Sequence, residues 1–333
     1  MTAGGSGALL ETRGLTRHFR IGGMRGRTLH AVDEVDLVVH EREIVALVGE
    51  SGSGKSTVAR LLAKVYRPTE GEILFRGAPV AAMRRRRSLL EYRGEVPMVF
   101  QDPFSSLNPA HTIGYALLRG LKLHRRDLAR RRREEEAERV LEVVGLVPAR
   151  EVMSKYPYEL SGGQRQRVGF AQALSYRPKL ILADEPVSML DVSIRIGLLN
   201  VMARLREEEG VSILYITHDI ASARYVSDRV VVMYAGHVVE HGPAEEVLHE
   251  PVHPYTRLLL SAVPDPRAEL SITSSDVGEP PRVVDPGEGC RFRWRCPLAV
   301  PLCGERTPRL TVSSPGHEAA CHVTVPAGSA PLR

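Results

Sequence analysis

An open α/β fold, built on a parallel sheet with its ligand at the carboxyl ends of the strands, is what this 333-residue sequence predicts, on three observations. Three short runs, Ile44–Val48, residues 180–183 and residues 211–216, are apolar almost throughout, as in strands buried on both faces. The second ends in Asp184 and Glu185 and the third in Thr217 and His218, which puts polar groups at strand ends. The first leads through a Gly-rich turn into residues 57–65, whose apolar spacing is helical, and strand, loop and helix open a βαβ unit.

The remaining elements follow in chain order. Residues 8–12 and the alternating residues 35–39 read as strands of an N-terminal antiparallel β-subdomain. Residues 89–161 read as a mostly helical insert, broken at Pro97, Pro103, Pro109, Gly145 and Pro148, and are expected to form a separate subdomain. Within it, residues 130–133 are all Arg and run into Glu134, Glu135 and Glu136. As a helix this stretch offers Arg/Glu pairs four apart, with Leu128, Ala137, Val140, Leu141 and Val144 as an apolar stripe, so a solvated face is expected ahead of a polyanion contact. A second Arg run occupies residues 84–87. Residues 229–242 read as a hairpin. From Pro264 onward Pro, Gly and Ser become frequent, and all four cysteines lie in this tail, so residues 1–263 and 264–333 are expected to be two domains, the second a small cysteine-bearing module.

Hydrophobic residues make up 43% and charged residues 26%, the balance of a water-soluble globular chain. No apolar run nears the roughly 18 residues of a bilayer span, and the first residues lack a signal-peptide pattern, so the chain is expected in the cytosol, with any membrane role reached through partners. The net charge of +5 owes much to the two Arg runs, and nucleic acid is not expected as a partner.

Residues 49–57, Gly-Glu-Ser-Gly-Ser-Gly-Lys-Ser-Thr, fit the phosphate-loop pattern between strand and helix. Gly49, Gly52 and Gly54 let backbone N–H groups, with those of Ser51 and Thr57, close around phosphates at a helix N-terminus; Lys55 reaches the outer phosphates and Ser56 offers a hydroxyl to Mg²⁺. Asp184 stands where a carboxylate holds Mg²⁺, and Glu185 where one orients or deprotonates an attacking water.

Leu160-Ser161-Gly162-Gly163-Gln164 resembles the signature sequence of ABC ATPases. Ser161, Gly162 and Gly163 supply hydroxyl and backbone donors at a helix start, suited to an anion, and Gln164 completes the motif. The resemblance implies that this anion is the γ-phosphate of ATP on a second subunit, hence a head-to-tail dimer. It further implies that Phe19 stacks on adenine, with His18 the alternative, and that Gln101 senses Mg²⁺. Ser188-Met189-Leu190-Asp191 would cross the dimer interface, with Met189 where a smaller residue is usual, and His218 would contact the γ-phosphate. Residues 101–109 (QDPFSSLNP) and 253–259 (HPYTRLL) look like segments of the oligopeptide/dipeptide/nickel importer subfamily, and the match spans roughly residues 9–325.

Cys290, Cys296, Cys303 and Cys321 are not expected to form disulfides in a reducing cytosol and read as a metal site. Their spacing lacks the paired C-x-x-C of zinc ribbons. Subfamily resemblance implies a [4Fe-4S] cluster, with Zn²⁺ and free thiols as alternatives. Arg291, Arg293, Arg295 and Trp294, between the first two cysteines, would either offset cluster charge or face solvent.

The sequence therefore predicts a P-loop ATPase (RecA-like) α/β core with an antiparallel β-subdomain, a helical subdomain and a cysteine-bearing tail. The resemblance implies an ATP- and Mg²⁺-dependent subunit that powers import of peptides or similar small solutes. Its expected partners are two transmembrane permeases, a second ATPase subunit (a paralogue ahead of a second copy) and, indirectly, an extracytoplasmic substrate-binding protein. Its expected place is the cytoplasmic face of the cell membrane. A soluble ABC protein acting on DNA or ribosomes shares the catalytic motifs but commonly carries two cassettes or a coiled-coil insertion, and a P-loop kinase would lack the signature motif.

Overall fold

The computed structural model describes residues 7–22, 26–83, 85–102, 107–261 and 283–325. Of the expectations above, those on Arg84, on Pro103 to Ser106 in the subfamily segment and on Pro264 lie outside the described residues. The chain opens with strands β1 (Leu10–Ile21) and β2 (Arg27–Val39), followed by β3 (Ile44–Val48), helix α1 (Lys55–Leu62), β4 (Glu70–Phe75) and β5 (Ala78–Pro79). An antiparallel sheet in the order β2-β1-β4-β5 forms the expected β-subdomain.

The main sheet is built around β3. In parallel with it run β7 (Leu180–Asp184), β8 (Ser212–Thr217), β9 (Arg229–Tyr234) and the short β6 (Met98–Val99), in the order β9-β3-β8-β7-β6. Why these runs are apolar at nearly every position is visible in the packing. Ile44, Ala46, Val48, Ile181, Ala183, Ile213 and Tyr215 join one core, while Val45, Leu47, Leu180, Leu182, Leu214 and Ile216 join the other. Successive side chains of a strand point to opposite faces, and both faces are covered.

Helices α2 (Arg86–Glu95), α3 (Ile113–His124), α4 (Arg130–Val143), α5 (Ala149–Ser154) and α6 (Gly162–Ser175) follow. The Arg/Glu stretch forms α4 as expected: Arg130–Glu134 and Arg131–Glu135 pair at 3.1 and 3.2 Å on its exposed side, and Ala137, Val140 and Leu141 are fully buried. The boundaries of the helical insert differ from residues 89–161. Met98 and Val99 pair with Leu182 and Ala183 inside the main sheet, and α6, which lies beyond Ser161, packs on α3 and α4. A two-residue strand leaves no periodic pattern in a sequence, and α6 is long enough to serve both the helices and the sheet.

Helices α7 (Val192–Glu207) and α8 (Ile220–Val226) flank β8, and β9 turns into β10 (His237–Pro243) as the expected hairpin, followed by α9 (Ala244–His249) and α10 (Pro254–Ser261). The described part of the tail carries α11 (Leu302–Glu305), β11 (Thr311–Ser314) and β12 (His317–Ala319). The tail that its composition predicts as a distinct module is joined to the main sheet. β12 pairs antiparallel with β10, so the main sheet is eight-stranded, ending β10-β12-β11. Glu240 on β10, fully buried, accepts hydrogen bonds from His317 Nε2 (2.7 Å), Val252 N (2.8 Å) and His253 N (2.9 Å). Burial alone would raise this carboxyl, yet these donors hold it below its ordinary value. A buried carboxylate requires such partners, and one of them comes from the tail.

Candidate functional site

The phosphate loop joins β3 to α1, and two of its glycines are required by close backbone contacts. Gly54 has φ +107, and a Cβ there would lie 2.3 Å from the Ala31 carbonyl oxygen; at Gly49 it would lie 2.2 Å from the Met233 carbonyl oxygen. Lys55, 4% exposed, folds back so that Nζ donates to the carbonyls of Gly49 (2.7 Å) and Glu50 (2.8 Å). Burial pulls its ammonium down to about 8, against the opposing pull of Glu185, Asp184 and Glu50.

At the end of β7, Asp184 Oδ1 accepts a hydrogen bond from Ser56 Oγ at 2.9 Å. Burial raises the Asp184 carboxyl, with the Ser56 hydroxyl acting in the other direction. A hydroxyl and a carboxylate in contact beside a buried lysine are the hard oxygen donors that Mg²⁺ takes with a phosphate. Glu185 follows with φ +46, an uncommon conformation for a residue with a side chain. Its N–H donates to Ile216 O (2.9 Å) and its carbonyl accepts from Ser188 Oγ (3.0 Å), which fix it. On Glu185 Oε2 two further predicted residues converge: Gln101 Nε2 at 3.0 Å, after β6, and His218 Nδ1 at 3.4 Å, after β8. Gln101 also donates to Ser188 Oγ at 3.3 Å, so Ser188 belongs to this group.

The signature residues stand apart from this convergence. Ser161 caps α6: its Oγ accepts from Gln164 N (3.2 Å) and its N–H donates to Gln164 Oε1 (2.9 Å), a reciprocal capping box. Gly163 packs so tightly on α7 that a Cβ would sit 2.3 Å from Ile194 Cγ2, and one on Gly162 would touch Leu190 at 3.7 Å. The signature loop and the segment Ser188 to Asp191 are therefore neighbours. Asp191 caps α7 without a side-chain hydrogen bond and is exposed, as are Met189 (66%) and Val192 (70%).

Phe19 is half-buried, with the Arg17 guanidinium 4.5 Å above its ring and Tyr66 edge-on at 5.4 Å. His18, the alternative adenine partner, is engaged elsewhere: it hydrogen-bonds Asp33, which also binds His30 Nδ1 (2.9 Å) and Arg291. Burial would raise the Asp33 carboxyl, but the bonds from His18 and Arg291 outweigh it and hold it at about 2.

The four cysteines are brought together. Burial pushes the Cys290 thiol up to about 11, and Cys303, Cys296 and Cys321 are near enough to push the same way. Backbone N–H groups two residues on point at three of the sulfurs: Phe292 at Cys290, Leu298 at Cys296, and Val323 at Cys321 at 3.5 Å. Among the described residues no three of these sulfurs lie within 4.8 Å of one another. The basic residues between Cys290 and Cys296 have partners of their own, Arg293 donating to the Cys290 carbonyl at 3.1 Å. Arg291 binds Asp33 and Arg295 binds Glu50, while Arg293 lies 4.7 Å over the ring of Trp294, itself 80% exposed.

Glu50, Tyr255 and Arg295 are the site residues that sequence reasoning missed. Tyr255 lies in the subfamily segment, and its Oη accepts the Glu50 N–H at 2.8 Å. No residue pattern marks such a long-range contact; the one available signal was the placement of two arginines beside cysteines.

A phosphate loop, an acidic strand end and a carboxylate held by glutamine and histidine define an ATPase of the phosphate-loop class. The comparisons give the family: residues 32–188 match ABC transporter and residues 239–303 match the oligopeptide/dipeptide transporter C-terminal region. The chain is 43% identical over 318 residues, 95% of each chain, to a putative oligopeptide transport ATP-binding protein, YkfD, of Bacillus subtilis. It is 42% identical to the oligopeptide transport ATP-binding protein AppF of the same organism, over 97% of this chain and 99% of that one. Among solved structures, the dimeric post-hydrolysis state of the ATP-binding cassette MJ0796 bound to ADP and Pi superposes with TM-score 0.63 at 28% identity, covering 71% of this chain and 98% of that one. CbiO1 of Clostridium perfringens, part of the transporter complex cbiONQ, gives TM-score 0.64 at 26% identity over 73% and 91%. The chain belongs to the ABC transporter family, as an ATP-hydrolysing subunit with an oligopeptide/dipeptide-type C-terminal region. No helix among the described residues is long and apolar enough to cross a membrane.

Proposed function

We propose that this chain powers the import of peptides or similar small solutes, docked at the cytoplasmic face of the membrane on two permease subunits and paired with a second ATPase subunit, a paralogue ahead of a second copy. An extracytoplasmic binding protein would deliver the solute. The observation that carries the chemistry is the meeting of Gln101 and His218 on one oxygen of Glu185, beside Lys55 and the Ser56–Asp184 pair. The peptide cargo rests on the C-terminal match and on the names of the relatives.

In this reading the loop amides of residues 49–57 and Lys55 bind the outer phosphates of ATP, and Phe19 stacks on adenine. Ser56, Gln101 and Asp184 hold Mg²⁺, which would neutralise phosphate charge. Glu185 takes the proton of the attacking water, and its strained, doubly tethered backbone keeps the carboxylate aimed. His218 and Gln101 orient it and report on the phosphate. Ser161, Gly162, Gly163, Gln164 and Asp191 act on the partner's nucleotide, so two subunits close over two ATP molecules and hydrolysis reopens them. The four thiols would hold a [4Fe-4S] cluster, in keeping with amide-to-sulfur bonds at Cys290, Cys296 and Cys321.

The test is reconstitution in vesicles with the permeases that co-purify. Peptide-loaded binding protein should raise ATPase activity and drive peptide uptake. Co-purification with nucleic acid and no permease would overturn the reading. Anaerobic protein should carry about four iron per chain; stoichiometric zinc without iron would remove the cluster alone.

A further inference from the structure

The thiol-bearing turn and the phosphate loop are far apart in sequence and joined in space. Arg295, beside Cys296, makes a bidentate pair with Glu50: Nη1 to Oε2 at 2.7 Å and Nη2 to Oε1 at 2.8 Å. Glu50 is the second residue of the phosphate loop, and all three of its polar groups are held. Its side chain binds Arg295, its N–H donates to Tyr255 Oη, and its carbonyl accepts from Lys55 Nζ at 2.8 Å. Two of those three holds come from the C-terminal part of the chain, and the third is on the lysine that meets the phosphates.

The other flank of the loop is tied through the residue beside Cys290. Arg291 donates to the Ala235 carbonyl, and the next residue, Gly236, donates its N–H to Ser53 O at 2.9 Å. Between the two arginines sits Phe292, 2% exposed, with its ring 5.2 Å from Tyr234, 5.5 Å from Tyr255 and 5.7 Å from His253. The turn is thus seated by a buried aromatic and reaches the loop on both sides. Its own shape depends on the thiol neighbourhood, where Cys290 N–H donates to Cys303 O at 2.8 Å and backbone amides point at the sulfurs.

We propose that the cysteine turn is a clamp on the phosphate loop, with Arg295 the positioning residue for Glu50, so that order at the four thiols sets how tightly nucleotide is held. The clamp acts by preorganisation. With Glu50 fixed, its carbonyl keeps Lys55 in place for the incoming phosphates, and that ordering is not demanded at the moment of binding. A turn freed at its thiols loosens locally, and with it the loop that it braces. The proposal rests on the reading of residues 49–57 as the ATP-binding loop.

The experiment titrates the full chain, in its assembled transporter, with a fluorescent N-methylanthraniloyl ATP. Arg295→Gln should weaken binding about tenfold, the scale of one lost charge-assisted pair. The loss should fall on KM with kcat kept, amide exchange of residues 49–55 should quicken, and Arg295→Lys should recover part of the affinity. Glu50→Gln should cost a similar factor, and the double variant no more than either single one. Stripping the thiol site with a chelator, then removing the chelator and restoring Mg²⁺ before the titration, should reproduce the loss in the unmodified chain and add nothing in Arg295→Gln. Additive losses, or unchanged affinity in Arg295→Gln, would overturn the clamp, and full affinity after stripping would overturn its link to the thiols. An unmodified chain that fails to bind the probe would instead overturn the reading of the phosphate loop.

Discussion

The chain contains two Gly-rich helix starts suited to phosphate, and they are built in opposite ways. The phosphate loop is tied inward: Lys55 is buried, its acceptors are loop carbonyls, and Glu50 and Ser53 are held by other parts of the chain. The signature loop is closed on itself. Ser161 and Gln164 cap each other, Gly163 is packed on Ile194, and beside it Met189, Asp191 and Val192 are exposed among the described residues. In the proposed function, one loop binds nucleotide with residues of its own chain, and the other is a donor surface that a second subunit would complete. What differs is not the local chemistry, since both offer helix N-terminal amides to an anion, but whether the remaining ligands come from the same chain.

The largest expected effect separates binding from turnover on the inward side. Glu185→Gln keeps the shape, the hydrogen bond to Gln101 and the tethered backbone but removes the proton acceptor. Steady-state ATPase activity of the assembled transporter should fall by about 10² or more, with ATP affinity retained. Unchanged turnover would take the base away from Glu185 and leave the convergence of Gln101 and His218 on its oxygen without a catalytic purpose.

The next effect tests the outward side. Ser161→Arg places a bulky cation at the helix start and should block ATP-driven closure of the dimer, seen as lost interface crosslinking and an ATPase rate lower by roughly tenfold or more. ATP should still bind the phosphate loop of the altered chain, and with a paralogous partner the defect should appear at the nucleotide on the partner's loop. Closure at the normal level would mean that the signature loop does not face a second nucleotide.

The two loops were also unequally legible. Both were read from sequence, as were β3, β7 and β8 and the carboxylates that end β7, because each is a short-range pattern: apolar strand, glycine turn, polar strand end. The contacts that complete the inward loop were not. Arg295 and Glu50 lie 245 residues apart, and Tyr255 lies in a segment given only by its subfamily resemblance. The tail misled for a related reason. Its Pro, Gly and Ser content reads as a separate small module, whereas the buried Glu240 of β10 takes a hydrogen bond from its His317. Buried polar pairs of this kind leave no periodicity to read.

The smallest expected effect is a pH dependence that the two loops should not share. In the nucleotide-free chain burial brings the Lys55 ammonium to about 8. Phosphates bind the charged form, so nucleotide raises this pKa, and a group whose pKa is raised on binding contributes affinity that is whole below its free value and lost as pH climbs above it. ATP affinity measured by titration calorimetry should therefore hold up to about pH 7 and fall about tenfold by about pH 9, one unit past the free pKa. Lys55→Met should bind more weakly at every pH and show no such fall. Neither Ser161 nor Gln164 titrates in this range, so closure at saturating ATP should be insensitive to the same change. A flat affinity profile in the unmodified chain would mean that Lys55 does not carry the phosphate contact, whereas a fall confined to closure would place the titrating group on the outward side.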